Sequence, residues 1–151
     1  MLTTMARQVA VIGSGKQWEP AAEEVGRLLA ESGCTVITGG LDEVMAAAQR
    51  GAKSAGGTTM AILPGEDRAA ANPWADHVVV TGIGHARNLA VAASGDVVIA
   101  IGGSYGTLAE MALALRLGRP VVALEGAPDV EGTLAAATPA EAVELALGHL
   151  R

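Results

Sequence analysis

Short apolar runs alternate along this chain with segments of helical periodicity, and this alternation constrains the fold more than any other feature. The runs are rich in valine, isoleucine and alanine, and they predict six strands at residues 8–12, 35–38, 58–63, 77–80, 96–101 and 120–124. Apolar strands that alternate with helices are typical of a parallel sheet covered on both faces. The sequence therefore predicts an α/β fold, a Rossmann-like doubly wound parallel sheet of about six strands flanked by helices. We expect it to form a single domain over residues 1–151.

Segments with helical periodicity fill the intervals between the predicted strands. We expect helices over residues 19–32, 42–55, 86–93 and 108–117, and a last helix that starts at residue 138. Gly33 closes the first of these helices. Residues 138–141, Thr-Pro-Ala-Glu, form a capping box with proline at the first helical position.

Composition excludes several classes of protein. The formal net charge is −6 and the ten basic residues are scattered, which argues against nucleic-acid binding. No apolar run approaches the ~20 residues that span a bilayer, and the first residues lack the apolar stretch of a signal peptide. The single cysteine, Cys34, has no partner for an internal disulfide. We therefore expect a cytoplasmic protein without a membrane partner.

A glycine-rich turn follows the fifth predicted strand, where residues 101–110 read IGGSYGTLAE. A turn between a strand and a helix directs backbone N–H groups and the positive end of the helix dipole towards one point. Three glycines in five residues lose conformational entropy on folding, and close approach to a ligand explains them well. Thr107 suits both a helix cap and a phosphate donor. The segment predicts a phosphate site formed by Gly102, Gly103, Ser104, Tyr105, Gly106 and Thr107.

An acid and an arginine are expected beside this turn. Glu110 is predicted in the first turn of the following helix, and Arg87 opens the preceding one with Asn88 next to it. Each residue also has a plain structural interpretation, since Glu110 can complement the helix dipole and Arg87 can be a surface cation. His85 lies nearby, but a lone histidine in a glycine turn usually serves only as a hydrogen-bonding residue.

Two more glycine turns are expected at the same edge of the sheet. Gly13 and Ser14 follow the first strand, and Gly39 and Gly40 follow the second. The first turn begins like a dinucleotide fingerprint, but Trp18 replaces its third glycine and no acid ends the second strand, which disfavours a NAD site. A tight turn without ligand contact remains the alternative there. No phosphate loop of the Walker type and no metal-ligand spacing is present.

The glycine–glutamate motif is similar to that of the LOG-like proteins, the superfamily long labelled possible lysine decarboxylases. That family carries Pro-Gly-Gly-x-Gly-Thr-x-x-Glu. The motif appears here as residues 101–110, with Ile101 in place of the proline and with two residues, not one, between Gly103 and Gly106. An arginine that opens a helix upstream is also shared, as Arg87. Residues 81–88, TGIGHARN, and the replacement by Ile101 look most like the subgroup that contains the molybdenum cofactor carrier protein.

This resemblance implies two functions. Carrier-like members bind a phosphorylated heterocycle without turning it over, so the chain is expected to bind a nucleoside monophosphate or a molybdopterin-like compound. The molybdenum cofactor would then be cargo, and no other cofactor is required. LOG enzymes instead hydrolyse the N-glycosidic bond of nucleoside 5′-monophosphates, with Arg87 and Glu110 as the catalytic candidates here. A lysine decarboxylase is disfavoured, because neither Lys16 nor Lys53 has a motif that supports pyridoxal phosphate.

The resemblance also implies a homodimer or a larger homo-oligomer, and the apolar helices at 42–55 and 108–117 fit that expectation. One departure concerns the turn after the second strand. The carrier subgroup reads Gly-Gly-x-Gly-Gly-x-Met there, whereas residues 39–45 read GGLDEVM. Asp42 and Glu43 either cap the next helix or face the pocket, where they would repel a phosphate.

Overall fold

The computed structural model describes residues 4–150 and contains one parallel sheet of seven strands. The strands are β1 (Gln8–Ser14), β2 (Thr35–Thr38), β3 (Thr59–Leu63), β4 (His77–Val80), β5 (Val97–Gly102), β6 (Val121–Leu124) and β7 (Leu134–Ala136). Their order across the sheet is β4-β3-β2-β1-β5-β6-β7, and each neighbouring pair is parallel. The predicted Rossmann-like α/β class is confirmed. The seventh strand was not predicted, because three residues carry too little alternation to signal a strand.

Within residues 4–150, five α-helices cover the two faces of this sheet. They are α1 (Glu19–Glu31), α2 (Val44–Ser54), α3 (Arg87–Ser94), α4 (Tyr105–Arg116) and α5 (Pro139–Gly148). Helices α1, α2 and α5 pack over one apolar cluster, and α3 and α4 pack over the other. Residues of β1 alternate between the two clusters: Val9 and Val11 enter the first, and Ala10 and Ile12 enter the second.

Helices α1 and α2 touch through two glycines. A Cβ atom on Gly26 would lie 1.9 Å from the carbonyl oxygen of Ala48, and one on Gly51 would lie 1.9 Å from that of Glu23. The backbones approach closely for this reason, and Ala46, Ala47, Ala48 and Ala52 of α2 are buried. The prediction that helix 42–55 keeps apolar surface for a partner is therefore wrong, because α1 covers that surface.

The strand order reverses beside β1. From β1 the chain steps outward through β2 and β3 to β4, and it then returns to the other side of β1 as β5. The register pairs Gly13 with Ile101 and Ser14 with Gly102, so the carboxyl ends of β1 and β5 lie next to each other. A crevice opens where the strand order of such a sheet reverses, and ligands of open α/β sheets bind there.

Membrane-spanning helices were sought within residues 4–150. None of the helices in that part of the chain combines the length and the apolar character needed to cross a bilayer.

Candidate anion-binding site

A cavity of about 180 Å³ lies at the point where the strand order reverses. The carboxyl ends of β1 and β2 form one side, and the starts of α3 and α4 form the other. Although β4 is an edge strand, the chain that follows it crosses back to the centre and brings the beginning of α3 to the cavity. The lining residues are Val11, Ile12, Gly13, Ser14, Gly39, Met45, His85, Arg87, Asn88, Ser104, Gly106, Thr107 and Glu110.

The β5 turn, residues 102–106, brings the N-terminus of α4 to this cavity. Gly102 and Gly103 have φ angles of 57° and 105°, a region that favours glycine. Helix α4 begins at Tyr105, three residues before the predicted start, so Gly106 lies within its first turn. Ser104 is the N-cap residue, and its side chain makes no capping hydrogen bond. The first N–H groups of α4 are therefore left for another acceptor.

The space around Gly102 and Gly103 is filled by the protein itself. A Cβ atom on Gly102 would lie 2.2 Å from the indole of Trp18, and one on Gly103 would lie 2.1 Å from Oγ1 of Thr107. Packing and backbone conformation thus explain both glycines without a ligand. The sequence predicted that Thr107 caps α4. Because the helix starts earlier, Thr107 is instead its third residue.

Gly106 differs from these two glycines. It lines the cavity, its φ angle is negative, and a Cβ atom there would meet nothing within 4 Å. Glycine in a helix is less favourable than alanine by roughly 0.5–1 kcal/mol. Apart from its chain neighbours and the backbone of its own helix, no atom of residues 4–150 lies within 4 Å of that position.

Arg87, the first residue of α3, is buried beside the β2 turn (residues 39–43), with a relative exposure of 9%. Gly39 makes room for it, because a Cβ atom there would lie 2.7 Å from Nη2 of Arg87. Its Nη1 donates to Oδ1 of Asn88, and its Nη2 donates to the carbonyl oxygen of Gly39 at 3.4 Å. Nε is buried and has no hydrogen-bond partner among the described residues. Burial lowers the pKa of Arg87, and the nearby carboxyl of Glu110 opposes that shift.

Glu110 lies in the second turn of α4, not in the first as predicted, because the helix begins at Tyr105. Its relative exposure is 8%, and its carboxyl accepts no hydrogen bond from the described residues. Burial raises the pKa of Glu110 to about 7, and the positive charge of Arg87 opposes the rise. Glu110 and Arg87 approach the same cavity without forming an ion pair within 4.0 Å. The cavity thus contains a buried cation and a buried acid, neither of which is fully paired.

The two carboxylates of the β2 turn do not line the cavity. Asp42 is exposed, and Glu43 makes no capping hydrogen bond to α2. Oε2 of Glu43 instead accepts a hydrogen bond from the backbone N–H of Gly15 at 2.6 Å. Glu43 therefore bridges the β2 turn to the β1 turn, residues 13–18. Neither of the two roles considered from the sequence describes this contact.

A buried amide pair fixes the β2 turn from behind. Asn72 donates from its backbone N–H to the carbonyl oxygen of Gly40 at 2.9 Å, and from Nδ2 to Leu41 and to Oε1 of Gln49. Gln49 in turn donates to the carbonyl oxygen of Met60. Gly40 has a φ angle of 79°, and its missing side chain would collide with Ala61 of β3. Gly40 therefore faces the sheet and not the cavity.

Most of the residues predicted for a site meet at one cavity. Those that line it are Gly13, Ser14, Gly39, Arg87, Asn88, Ser104, Gly106, Thr107 and Glu110. Four others do not line it: Gly40, Gly102, Gly103 and Tyr105, whose side chain is 88% exposed at the start of α4. Sequence reasoning did not assign Val11, Ile12, Met45 and His85 to the site. Met45 and His85 stand in the segments that carry the family resemblance, and that was the signal available for them.

The described residues contain no group of three or more His, Cys, Asp or Glu side chains arranged to hold a metal ion. The fold and the cavity define a Rossmann-like α/β protein with a glycine-lined crevice where its strand order reverses. The sequence model of the SLOG cluster4 family matches residues 6–147, and the chain belongs to this family. The suspected LOG-like superfamily is thereby confirmed.

Known relatives place the chain more closely within this class. An uncharacterized protein of Archaeoglobus fulgidus is 44% identical over 139 residues, which cover 90% of this chain and 91% of the relative. The molybdenum cofactor binding protein of Rippkaea orientalis superposes with a TM-score of 0.90 at 33% identity, covering 97% of this chain and 98% of the other. The molybdenum cofactor carrier protein of Chlamydomonas reinhardtii gives 0.87 at 34% identity, covering 96% and 98%. The similarity to the carrier subgroup is confirmed.

Proposed function

We propose that this protein binds a phosphorylated heterocyclic ligand in the crevice between β1 and β5. The observation that carries the proposal is Arg87, a residue that is nine-tenths buried at the cavity and whose Nε has no hydrogen-bond partner among residues 4–150. Burying a cation without a full set of partners is unfavourable, and an anionic ligand would remove that deficit. A phosphate accepts the paired hydrogen bonds that a guanidinium donates.

The phosphate is proposed to sit against the β5 turn. The first N–H groups of α4, from Tyr105 to Thr107, have no side-chain cap and carry the positive end of the helix dipole. Gly106 leaves open the space that a methyl group would fill. Ser104 and Thr107 both line the cavity and add hydroxyl donors.

The size of the cavity sets how much of the ligand it encloses. Pockets that surround a drug-sized ligand have volumes of roughly 300–1,000 Å³, whereas this cavity measures about 180 Å³. We propose that the cavity takes the phosphate and the atoms next to it. The heterocycle then lies over the rim, where the exposed side chains of His85 and Tyr105 are available to it.

The molybdenum cofactor is the cargo that we propose first. The similar proteins of Rippkaea orientalis and Chlamydomonas reinhardtii are described as binding or carrying that cofactor. The cofactor is a phosphorylated pterin, so its phosphate suits the β5 turn. In this role the protein needs no other cofactor and leaves the ligand chemically unchanged.

Isothermal titration with AMP and with a pterin phosphate tests the proposal. We expect saturable binding of one of them to the wild-type chain, and binding weakened by about 30-fold in Arg87→Met. Arg116→Met is the matched control, because it removes an exposed guanidinium from α4 at a distance from the cavity lining. Absence of binding to the wild type at millimolar ligand would contradict the proposal.

Phosphoribohydrolase activity is a second candidate, and the titration of Glu110 favours it. A carboxyl whose pKa is about 7 can exchange a proton near neutral pH. In this reaction water adds across the N-glycosidic bond, the base leaves with a proton, and the sugar leaves as ribose 5-phosphate. Glu110 would position the water and stabilise the cationic character of the sugar, and Arg87 would orient the phosphate or ribose.

Incubation with AMP separates these two functions. A hydrolase releases adenine, and Glu110→Gln abolishes the release while the variant still binds AMP. A carrier returns AMP intact after the same incubation, although titration shows that AMP binds. Chromatography of the supernatant distinguishes the two outcomes.

We also propose that the protein forms a homodimer or a larger homo-oligomer through α3 and α4. Leu89 of α3 and Leu108 and Ala112 of α4 are exposed apolar residues on helices that pack against each other. A second copy covering this surface would remove it from water. Light scattering coupled to size exclusion should give at least twice the mass of one chain. Leu108→Glu should reduce that mass, whereas a wild-type monomer at micromolar concentration would exclude the assembly.

The state of the Cys34 thiol is relevant to the cellular location of the protein. Cys34 is a free, buried thiol, and burial raises its pKa, so it reacts slowly with oxidants. We propose a cytoplasmic location on this basis, since a reducing compartment keeps such a thiol unpaired. Fractionation of cells that express the chain would test it.

A further inference from the structure

We propose that Glu43 is a specificity determinant of the crevice: its carboxylate occupies the anion position of the β1 turn, so that the site accepts one phosphate group and rejects a second. This inference rests on the proposed function, because it concerns the same crevice. It assigns a role to a residue that contacts the crevice from outside its lining.

The contact itself resembles the binding of an anion. Oε2 of Glu43 lies 2.6 Å from the backbone nitrogen of Gly15, a short distance for a hydrogen bond from a backbone N–H to a carboxylate. Gly15 directly follows Ser14, which lines the cavity, and it precedes the short 3₁₀ turn that leads into α1. Gly15 itself does not line the cavity, so a ligand reaches this N–H group only with a second phosphate that extends past Ser14. In this protein that N–H group is already paired.

The backbone at Glu43 has an unusual conformation. Its φ and ψ angles are 56° and −123°, and it is the single non-glycine residue of positive φ between residues 4 and 150. Side chains with a Cβ atom rarely adopt this conformation, and the surrounding structure must hold it in place. Two contacts supply that support. The side chain of Glu43 accepts the hydrogen bond from Gly15, and its carbonyl oxygen accepts one from the backbone N–H of Ala47 in the first turn of α2.

A fixed carboxylate at this position has a direct effect on selectivity. A second phosphate over the β1 turn would lose the N–H of Gly15 as a donor and would also face a negative charge at short range. The β5 turn, in contrast, has no carboxylate bound to its N–H groups among the described residues. A monophosphate therefore fits the crevice, and a pyrophosphate that spans both turns does not.

Three variants test this assignment by isothermal titration with inorganic phosphate and with pyrophosphate. Glu43→Gly removes the carboxylate and suits the positive φ angle, while Glu43→Gln keeps the length and an acceptor oxygen but removes the charge. Asp42→Asn is the matched control, because it removes the neighbouring charge from an exposed side chain. Circular dichroism verifies that each variant is folded. If Glu43→Gly does not fold, the test is made with Glu43→Gln.

We expect Glu43→Gly to raise the affinity for pyrophosphate by about tenfold or more, since close like charges oppose binding strongly. Its affinity for phosphate should change by less than about threefold, because the β5 turn is untouched. Glu43→Gln should shift the ratio in the same direction, and Asp42→Asn should leave it unchanged. A ratio of pyrophosphate to phosphate affinity that moves no more in the Glu43 variants than in Asp42→Asn would overturn the assignment.

The titrations distinguish failure of the specificity role of Glu43 from failure of the proposed ligand binding. If the wild-type chain binds neither AMP nor phosphate, the proposed function fails, yet a gain of pyrophosphate binding in the Glu43 variants still supports the role of Glu43. If the wild type binds AMP and the Glu43 variants gain nothing for pyrophosphate, the proposed function survives and the specificity role is rejected.

Discussion

The β1 turn and the β5 turn lie side by side at the carboxyl edge of the sheet, yet the protein treats them differently. In the β1 turn the protein's own atoms account for the glycines. A Cβ atom on Gly13 would lie 1.8 Å from the carbonyl oxygen of Ile101, and the N–H of Gly15 is bound by Glu43. In the β5 turn the protein's own atoms also fill the space at Gly102 and Gly103, but Gly106 faces open space and the N-cap Ser104 makes no side-chain capping bond.

The difference is between glycines that packing requires and a glycine whose Cβ position is open. A glycine whose missing side chain would collide with the backbone is required by packing. A glycine that borders empty space in a helix weakens the helix without any gain in packing. Gly106 is of the second kind, and it lies in the same cavity as Arg87 and Glu110. Gly148 also has open space at its Cβ position, so it is the place of Gly106 in the cavity lining that distinguishes Gly106.

The largest expected effect concerns Gly13. Gly13→Ala should lower the free energy of unfolding by about 3 kcal/mol or more, because it adds a backbone collision to a φ angle of 140°. Urea denaturation of the variant and of the wild type measures the change. A loss under about 1 kcal/mol would mean that β1 and β5 separate easily, and the contrast between the two turns would then disappear.

Glu110 should make stability depend on pH. Its folded pKa of about 7 lies above its ordinary value of 4.5, so the folded state holds a proton that the unfolded state releases. Its contribution is complete below pH 4.5 and is lost as the pH rises through about 7. The full shift corresponds to a loss of about 3 kcal/mol.

Urea unfolding at pH 5 and at pH 8 tests this pH dependence. Glu110→Gln should be stabilised relative to the wild type at the higher pH, whereas Glu144→Gln, on the exposed surface of α5, should follow the wild type at both. Equal pH slopes for the wild type and Glu110→Gln would show that the pKa of Glu110 is not raised in the folded state.

Arg87 should affect binding more than stability. Arg87→Met is expected to weaken binding of the phosphorylated ligand by about 30-fold, the value of a charged hydrogen-bond pair of about 2 kcal/mol. The free energy of unfolding should stay the same or rise, since the variant removes a buried guanidinium with an unpartnered Nε. Titration and denaturation on the same preparation measure both. A loss of stability without a loss of affinity would make Arg87 structural.

Gly106 should show the smallest effect, with opposite signs for its two measurements. Gly106→Ala should raise the free energy of unfolding by roughly 0.5 kcal/mol, because alanine suits a helix better than glycine. The added methyl group should weaken ligand binding by about tenfold, since it occupies the space of the ligand. Gly148→Ala is the control: a Cβ atom there also meets nothing within 4 Å, and Gly148 lies at the end of α5, outside the lining of this cavity. Equal affinities for Gly106→Ala and the control would remove the open turn from the site.

Local sequence signals predicted most of the architecture. Strands β1 to β6 and all five helices were expected from periodicity, because the alternation of a strand and the repeat of a helix are visible within ten residues. The errors fell where local signals compete. Glycine disfavours helix, so the start of α4 was predicted at Leu108 and not at Tyr105, which shifted Glu110 by one turn. Strand β7 is too short to show a period.

The site was predictable in part for the same reason. Parallel strands bring their carboxyl ends to one edge, so Ser14, Gly39 and Ser104 were expected together once the sheet was predicted. The direction of a side chain is not a local property. Asp42 and Glu43 are neighbours of the same charge, yet one is exposed and the other reaches across to Gly15.

By itself, the sequence of this protein determined the kind of fold, the order of its elements and the edge at which its polar turns would gather. These follow from residue propensities and from the geometry of a parallel sheet, which act over short stretches of chain. Tertiary structure alone decided which glycines are filled by neighbours, which N–H groups remain open, and that Arg87 and Glu110 are buried without full partners. Those outcomes depend on contacts between residues far apart in the chain, and only the packed molecule brings such residues within a few ångströms of each other.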